Sequence, residues 1–353
     1  MHNDFIDKPN NVRNEDSLDK HKLSVYLSTH LDNFSIQDEL QVQQFPGGAS
    51  NLTYQISWNE NHAILRTAPR GANIKGAHDM GREFKVLNSL ESCFDYSPKT
   101  LLYCEDNDII GRPFYLMEKV SGIIARKSFP MPVNTEMAQV LCKDLIDVHV
   151  ALHNIDISKS GLSDLGKGEG YIQRQISGWN KRYVNALTED SLPAVKLMQW
   201  LEANQPSDTE TCLIHNDYKF DNVVLSAKSP HKIISVLDWE MTTIGSPLMD
   251  LGCSLAYWVE KNDPPQMQAI RMMPTNIDGM MTRNEIVEYY ALKRNMSIDN
   301  FNYYYVFGLF RLAVIVQQIY KRYAQGKTTN PAFKNLGNAA KILIMKAESE
   351  YKL

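Results

Sequence analysis

Cysteine is scarce and shows no pairing pattern: Cys93, Cys104, Cys142, Cys212 and Cys253 are scattered, odd in number and include no C-x-x-C pair. That argues against a disulfide framework and against a cysteine zinc site, and it fits reduced thiols in a reducing compartment. Long apolar runs are missing as well. The most apolar stretch, Phe307 to Tyr320, is interrupted by Arg311 and two glutamines and is too short to cross a bilayer. The first twenty residues are polar and acidic, without the apolar core of a secretory signal, so the expected location is cytoplasmic and no membrane is expected as partner. Nor is there an excess of positive charge. With 37 Lys and Arg against 41 Asp and Glu, the net charge is −4, which offers no global field to nucleic acid or an anionic surface. No internal repeat or low-complexity linker is visible. What is present is an ordinary globular balance: 353 residues, 43% hydrophobic and 22% charged, enough for one large core or two adjoining ones.

The pattern of apolar residues changes along the chain. Residues 1–16 are expected to be disordered, and an imperfect helical stripe follows through Leu18, His21, Leu23, Val25, Leu27 and Leu31. From Leu40 to Arg66 the pattern becomes short strands, split by turn signals at Pro46-Gly47-Gly48 and Asn59-Glu60-Asn61. Ala77 to Leu90 reads as a helix with Met80, Phe84, Leu87 and Leu90 on one face, and two further strands run through Thr100 to Cys104 and Gly111 to Val120. After Gly122 the chain is mostly helical apart from two short apolar runs, Asn222 to Ser226 and Lys232 to Asp238. The fold class implied is α+β: a small antiparallel β lobe over 17–120, then a larger, mainly helical lobe over 121–353.

The strongest chemical signal is Leu213-Ile214-His215-Asn216-Asp217-Tyr218-Lys219-Phe220-Asp221-Asn222, of the form H-x-D-x-x-x-x-N and followed at once by an apolar strand. Sixteen residues beyond Asn222 a second strand ends in an acid, Asp238. In phosphoryl transfer to a hydroxyl, one aspartate orients the acceptor and takes its proton. An Asn and a second Asp, brought close by a hairpin, hold Mg²⁺ against the phosphates. Mg²⁺ is a hard ion that takes oxygen ligands and accepts few from protein, which is why these residue types are needed.

His215 to Asn222 followed by Val236-Leu237-Asp238-Trp239-Glu240 resembles the catalytic loop and metal aspartate of the aminoglycoside phosphotransferases, part of the protein-kinase-like superfamily. The resemblance implies a two-lobed kinase-like fold and ATP with Mg²⁺ as cofactors. By the same resemblance Asp217 is the catalytic aspartate, and Asn222 and Asp238 are the metal ligands. His215 is expected to pack and steady the loop. Upstream, Phe45 to Asn51 matches the phosphate-covering loop, with Gly47, Gly48, Ala49, Ser50 and Asn51 facing the nucleotide; glycine lets backbone amides approach phosphate oxygens. Arg66 stands where the kinase strand carries its lysine, a departure that keeps a permanent, forked cation, and Glu83 on the next helix would be its ion-pair partner. Tyr115 to Gly122 resembles the hinge, where the carbonyl of Glu118 and the amide of Val120 would meet adenine. In Gly245-Ser246-Pro247-Leu248-Met249-Asp250-Leu251, Ser246 replaces the family's usual Asp at a helix start, and Asp250 is expected to buttress the catalytic loop.

In the helical lobe, Tyr171 to Trp179, Tyr304 to Leu312 and Gln317 to Tyr323 resemble a narrower branch, the phosphotransferases fused to or working beside acyl-CoA dehydrogenase-like enzymes, which includes kinases of 4-hydroxyacyl-CoA thioesters. Charge points the same way. From Ala256 onward thirteen Lys and Arg face eight Asp and Glu, about +5, against −9 for the rest, which suits an anionic acceptor better than a polycation. Arg311, Lys321 and Arg322 are the candidates to meet a CoA phosphate. The sequence supports a small-molecule kinase with an anionic alcohol, best a 4-hydroxyacyl-CoA. An aminoglycoside kinase and a nucleotide-binding pseudokinase scaffold are the alternatives. A protein kinase is disfavoured because Pro247 follows Asp238 by only nine residues, leaving no long activation segment.

Overall fold

The computed structural model describes residues 8–45, 51–69, 78–207, 210–328 and 330–351. In chain order the strands are β1 Gln41–Gln44, β2 Leu52–Trp58, β3 Asn61–Thr67, β4 Thr100–Cys104, β5 Phe114–Glu118, β6 Cys212–Ile214, β7 Val223–Leu225, β8 Ile233–Val236 and β9 Thr243–Gly245. The α-helices longer than four residues are α1 Lys20–His30, α2 Met80–Leu90, α3 Thr135–His153, α4 Tyr171–Ala186, α5 Val195–Ala203, α6 Pro247–Ala256, α7 Pro265–Ile270, α8 Arg283–Arg294, α9 Asn302–Ala324 and α10 Leu336–Glu350. None is long and apolar enough to cross a membrane among the described residues. They fall into two units: one of residues 1–124, 159–162 and 223–242, the other of 125–158, 163–222 and 243–353.

The first unit is built on a five-stranded antiparallel sheet in the order β1-β2-β3-β5-β4. Alternation along the strands sends Tyr54, Ile56, Ala63, Leu65, Phe114 and Leu116 to one face, where they bury Leu23 and Leu27 of α1. The β2–β3 hairpin turns at Asn59, whose φ of 50° is the left-handed region that Asn accepts at small cost. Part of the segment read as disordered is held in place: the backbone of Asn10 pairs with Gln44, and the buried carboxylate of Asp16 accepts from Gln44 Nε2 at 2.8 Å. Helix α2 begins at Met80, capped by Asp79, and its buried face carries Met80, Glu83, Val86, Leu87 and Leu90. The expected place of Phe84 on that face is taken by Glu83, because the carboxylate has a buried cation to meet; Phe84 is half-buried and stacks on Tyr103 instead. Residues 223–242 belong to this unit although they follow 125–222 in the chain. β7 pairs with β8, Leu225 bridges Ile123, and Val236 N–H donates to the Tyr96 carbonyl at 2.7 Å. Gly122 makes that approach possible, since a Cβ there would lie 2.4 Å from the Leu225 carbonyl oxygen.

The second unit is mainly helical. Its core centres on α9, buried from Tyr303 through Val314, so the aromatic side chains from Tyr303 to Phe310 are core. α9 crosses α6 at two glycines: a Cβ on Gly308 would meet the Gly252 carbonyl oxygen at 2.1 Å, and one on Gly252 the Tyr304 carbonyl oxygen at 2.2 Å. This backbone-to-backbone contact sets Cys253 and Tyr257, on and just beyond α6, near Arg311 of α9. β6 and β9 pair antiparallel and present the loop that begins at His215.

Candidate active site

In the second unit, β6 ends at Ile214 and the chain turns through Asn216, whose φ is 65°. Asn accepts this left-handed region at small cost, and the turn is also held from behind. Asp250, fully buried, holds it: its Oδ1 accepts the Asn216 amide at 2.7 Å and its Oδ2 the His215 amide at 2.9 Å. The same Oδ2 faces Nε2 of both His149 and His153 at 3.1 Å. Burial opposes the Asp250 charge, but the two histidines outweigh it and hold the carboxyl well below the usual range. Ser246 occupies the helix start before Pro247 as expected, yet its side chain makes no capping bond.

With its backbone so held, the loop presents Asp217. The Asp217 amide donates to His215 Nδ1 at 3.2 Å, and the carboxylate Oδ2 accepts from Asn222 Nδ2 at 2.8 Å and Lys219 Nζ at 2.5 Å. Oδ1 makes no hydrogen bond among the described residues, so one carboxylate oxygen is anchored and the other remains available. Asn222 also gives Nδ2 to the Asp217 carbonyl at 2.8 Å, so its amide nitrogen is committed inward and Oδ1 is the atom left for a ligand. Lys219, unread in the sequence as a functional group, lies over the Tyr257 ring at 4.8 Å and 3.8 Å from Asp221. Burial works against its charge, and Tyr257, Asp217 and Asp221 outweigh that, raising its pKa well above a normal lysine. Of the cations expected near a bound anion, Arg311 is buried beneath Trp179, its guanidinium 5.2 Å from that ring, with Asp217 among the groups favouring its charge. It is therefore not a surface contact. Lys321 Nζ donates to the Asn185 carbonyl at 2.7 Å, and Arg322 is exposed.

In the first unit, Arg66 sits on β3 opposite Thr53 and Tyr115. Its Nη2 lies 3.4 Å from Glu83 Oε1 and 2.9 Å from Asp238 Oδ1. The expected Arg66–Glu83 pair is thus formed, and Asp238 joins it. Burial disfavours the Arg66 cation, and Glu83, Tyr115, Asp238 and Glu240 more than compensate, raising its pKa well above the usual value. For Glu83 burial dominates and raises the carboxyl, with Arg66 offsetting part of it. Glu83 is 1% exposed and Asp238 33%, so the glutamate is the fixed end of this triad and the aspartate the accessible one. Asp238 ends the β7–β8 hairpin with φ of 68°. The turn after it is clamped by Arg82, next to Glu83, whose guanidinium donates to the carbonyls of Glu240 at 3.1 Å and of Thr242. Asn51 is buried and committed: Nδ2 donates to Glu240 Oε2 at 2.6 Å and Oδ1 faces His78 Nδ1 at 2.9 Å. Gly47, Gly48, Ala49 and Ser50 lie outside the described residues. Glu118 closes β5, donating its amide to the Lys99 carbonyl at 2.8 Å, and Val120 follows two residues on, partly buried. Missed in the sequence were Lys219, Arg82, His78 and the His149–His153 pair. The one available signal was two histidines four apart on an apolar helix.

That pair sets a pH dependence. Burial, with His149 adding to it, pushes His153 down to about 3 against the pull of Asp250. The unfolded chain takes up the same proton near pH 6.5, about its ordinary value. Between these values the unfolded state binds more protons, so stability should fall as pH drops from about 6.5 toward 3. The limiting slope is about 1.4 kcal/mol per pH unit. Asp250 acts in the same direction further down, its contribution lost as pH falls through its depressed folded value. Denaturant unfolding between pH 7 and 4 should show the slope, shallower in His153→Gln; an unchanged slope in that variant would contradict the assignment.

Comparison with known proteins gives the family. Residues 41–277 match the family model described as "Phosphotransferase enzyme family". Among solved structures, a Ralstonia eutropha protein assigned as an aminoglycoside phosphotransferase superposes with a TM-score of 0.80 at 29% identity, covering 95% of this chain and 99% of that one. Choline kinase from Cryptosporidium parvum gives 0.62 at 11% identity, covering 94% and 96%, a likeness of fold alone. Acyl-CoA dehydrogenase family member 11 of Rattus norvegicus is 36% identical over 321 residues, covering 89% of this chain but 41% of the relative. In Arabidopsis thaliana a protein described as a probable acyl-CoA dehydrogenase, IBR3, is 29% identical, covering 88% and 40%. The chain thus spans about two fifths of the length of these curated relatives. With the small antiparallel sheet, the helical unit and the family match over most of its length, the chain belongs to the phosphotransferase enzyme family of the protein-kinase-like fold.

Proposed function

We propose that the chain transfers the γ-phosphoryl group of ATP, with Mg²⁺, to the alcohol of a small anionic metabolite, a 4-hydroxyacyl-CoA being the best single choice. The strongest support is the state of Asp217. One oxygen is fixed by Asn222 and Lys219, and the other is unbonded on a loop whose backbone Asp250 holds. A carboxylate so arranged orients a hydroxyl and takes its proton as the new P–O bond forms and the bond to the ADP oxygen breaks. The groups present suit a hard cation: Asn222 offers Oδ1, and Asp238 an accessible carboxylate. When bound, Mg²⁺ would neutralise phosphate charge; Arg66, released from Asp238, would grip the phosphate oxygens while Glu83 keeps its guanidinium in place. The acyl-CoA choice draws on the resemblance of the helical unit and on the names of the relatives, which carry acyl-CoA dehydrogenase in their descriptions. The excess of basic residues from Ala256 onward disfavours a polycationic aminoglycoside.

A phosphotransfer screen across hydroxyacyl-CoAs and kanamycin-like compounds tests the acceptor. Turnover of a 4-hydroxyacyl-CoA well above the aminoglycosides is expected. Efficient phosphorylation of kanamycin with no turnover of any hydroxyacyl-CoA would overturn the acceptor choice. Arg66 tests the nucleotide end. Losing charged hydrogen bonds worth about 1.5–3 kcal/mol, Arg66→Ala should raise the KM for ATP about tenfold to a hundredfold. Glu83→Gln should show a milder form, the guanidinium present but less well aimed. Equal effects on ATP and acceptor KM values would count against this role.

A further inference from the structure

Beside the loop that carries Asp217, the second unit contains an apolar cavity of about 240 Å³ that the chemistry above does not use. Its wall includes Tyr257, Met267, Met272, Leu312, Val316 and Leu343. All of these are buried except Met272, which is 51% exposed at the mouth. Of the lining residues Arg271 alone carries a charge among those described, and its Nη1 is spent on the carbonyls of Lys127 and Met273 at 2.5 and 2.6 Å. The lining is therefore mainly apolar, with the buried Nε of Arg271, which has no hydrogen-bond partner among the described residues, as a polar exception. Well-packed interiors hold few voids of this size, and concave, mostly apolar pockets are the usual seats of small-molecule ligands.

Two contacts tie this cavity to the catalytic loop. Tyr257, part of the wall, lies under Lys219, whose Nζ is 2.5 Å from Asp217 Oδ2. The Phe220 amide, inside the loop, donates to Met273 Sδ at 3.4 Å, and Met273 adjoins the wall residue Met272. An acceptor whose hydroxyl lies at Asp217 has this cavity one aromatic ring away. At about 30 Å³ per water-sized group, the volume holds roughly eight methylene-sized groups.

We propose that this cavity seats the apolar chain of the alcohol that Asp217 activates, and that its volume sets the preferred chain length. The proposal deepens the acceptor reading above and rests on it for the position of the hydroxyl. Each methylene that enters the cavity should raise kcat/KM about fourfold, the worth of one buried CH₂. Beyond its capacity the gain should stop.

The test uses the full chain and a series from 4-hydroxybutanoyl-CoA to 4-hydroxydodecanoyl-CoA. The wild type should show a rise that breaks at medium chain length. Val316→Phe, which fills the interior, should move the break to a shorter chain and lower kcat/KM for the decanoyl member about tenfold or more relative to the butanoyl member. Met272→Asp, at an exposed position where folding is not at stake, should shift the same ratio in the same direction by placing a charge at the mouth. A flat series, or a break that neither variant moves, overturns the proposal. If no hydroxyacyl-CoA is phosphorylated at all, the acceptor reading fails separately, and calorimetric titration with octan-1-ol decides the cavity. Binding that both variants weaken tenfold or more supports it; no binding, or equal binding by all three proteins, overturns it.

Discussion

Asp217→Asn is expected to lower phosphoryl transfer by about 10²–10⁴-fold, the usual effect of losing a general base, while Mg²⁺-ATP binding stays near that of the wild type. The amide fills the same space, so the anchoring of one side-chain atom by Asn222 can persist. What is lost is a negative oxygen able to receive the hydroxyl proton. Lys219 also loses its nearest countercharge and keeps Asp221 at 3.8 Å. The acceptor KM should therefore move less than kcat, since the defect lies in the transition state. Steady-state kinetics beside a nucleotide titration separates the two effects. Near-wild-type turnover would remove Asp217 from its role.

Asp238→Ala should fail at the other end of the reaction. Outer-shell partners of a metal are already worth about 10–100-fold in affinity, so removing a direct ligand should cost at least about a hundredfold in Mg²⁺-dependent ATP binding. The variant should still fold, because Glu83 continues to face the buried Arg66. Without Mg²⁺, nucleotide binding should not weaken, since Arg66 no longer has to leave Asp238. Calorimetric titrations with and without Mg²⁺ should converge on the same weak affinity in the variant. An undiminished response to Mg²⁺ would contradict the assignment.

Local chemistry made part of this site readable. Asp217 and Asn222 were singled out by the H-x-D-x-x-x-x-N motif and its resemblance to the phosphotransferase catalytic loop, and a hydrogen bond joins them. Arg66 and Glu83 were paired because the resemblance puts them in the places of the kinase strand lysine and its partner on the next helix, and the ion pair is formed. The third member was out of reach: Asp238 meets Arg66 across 172 positions of sequence, a separation no local pattern encodes. Glu83 was recognised as a partner but not as the centre of a buried helix face, because helical periodicity ranks Phe84 above any carboxylate. The His149–His153–Asp250 cluster was half visible. Asp250 was read as a buttress, but two histidines on a helix with a buried face look like ordinary core residues until the acid nearly a hundred positions later is placed between them. The β lobe was legible from alternation and turn residues, whereas the return of residues 223–242 to that unit depends on backbone pairing with Ile123 and Tyr96. Backbone bonds carry no side-chain signature.

The most direct measurement is phosphorus NMR of the wild-type chain incubated with ATP, Mg²⁺ and 4-hydroxyoctanoyl-CoA. The account predicts a new phosphate monoester resonance that grows in step with ADP, together with loss of the free 4-hydroxyl, and its absence in Asp217→Asn. Release of inorganic phosphate alone, or nucleotide bound and left unchanged across the hydroxylated acceptors tested, would contradict it.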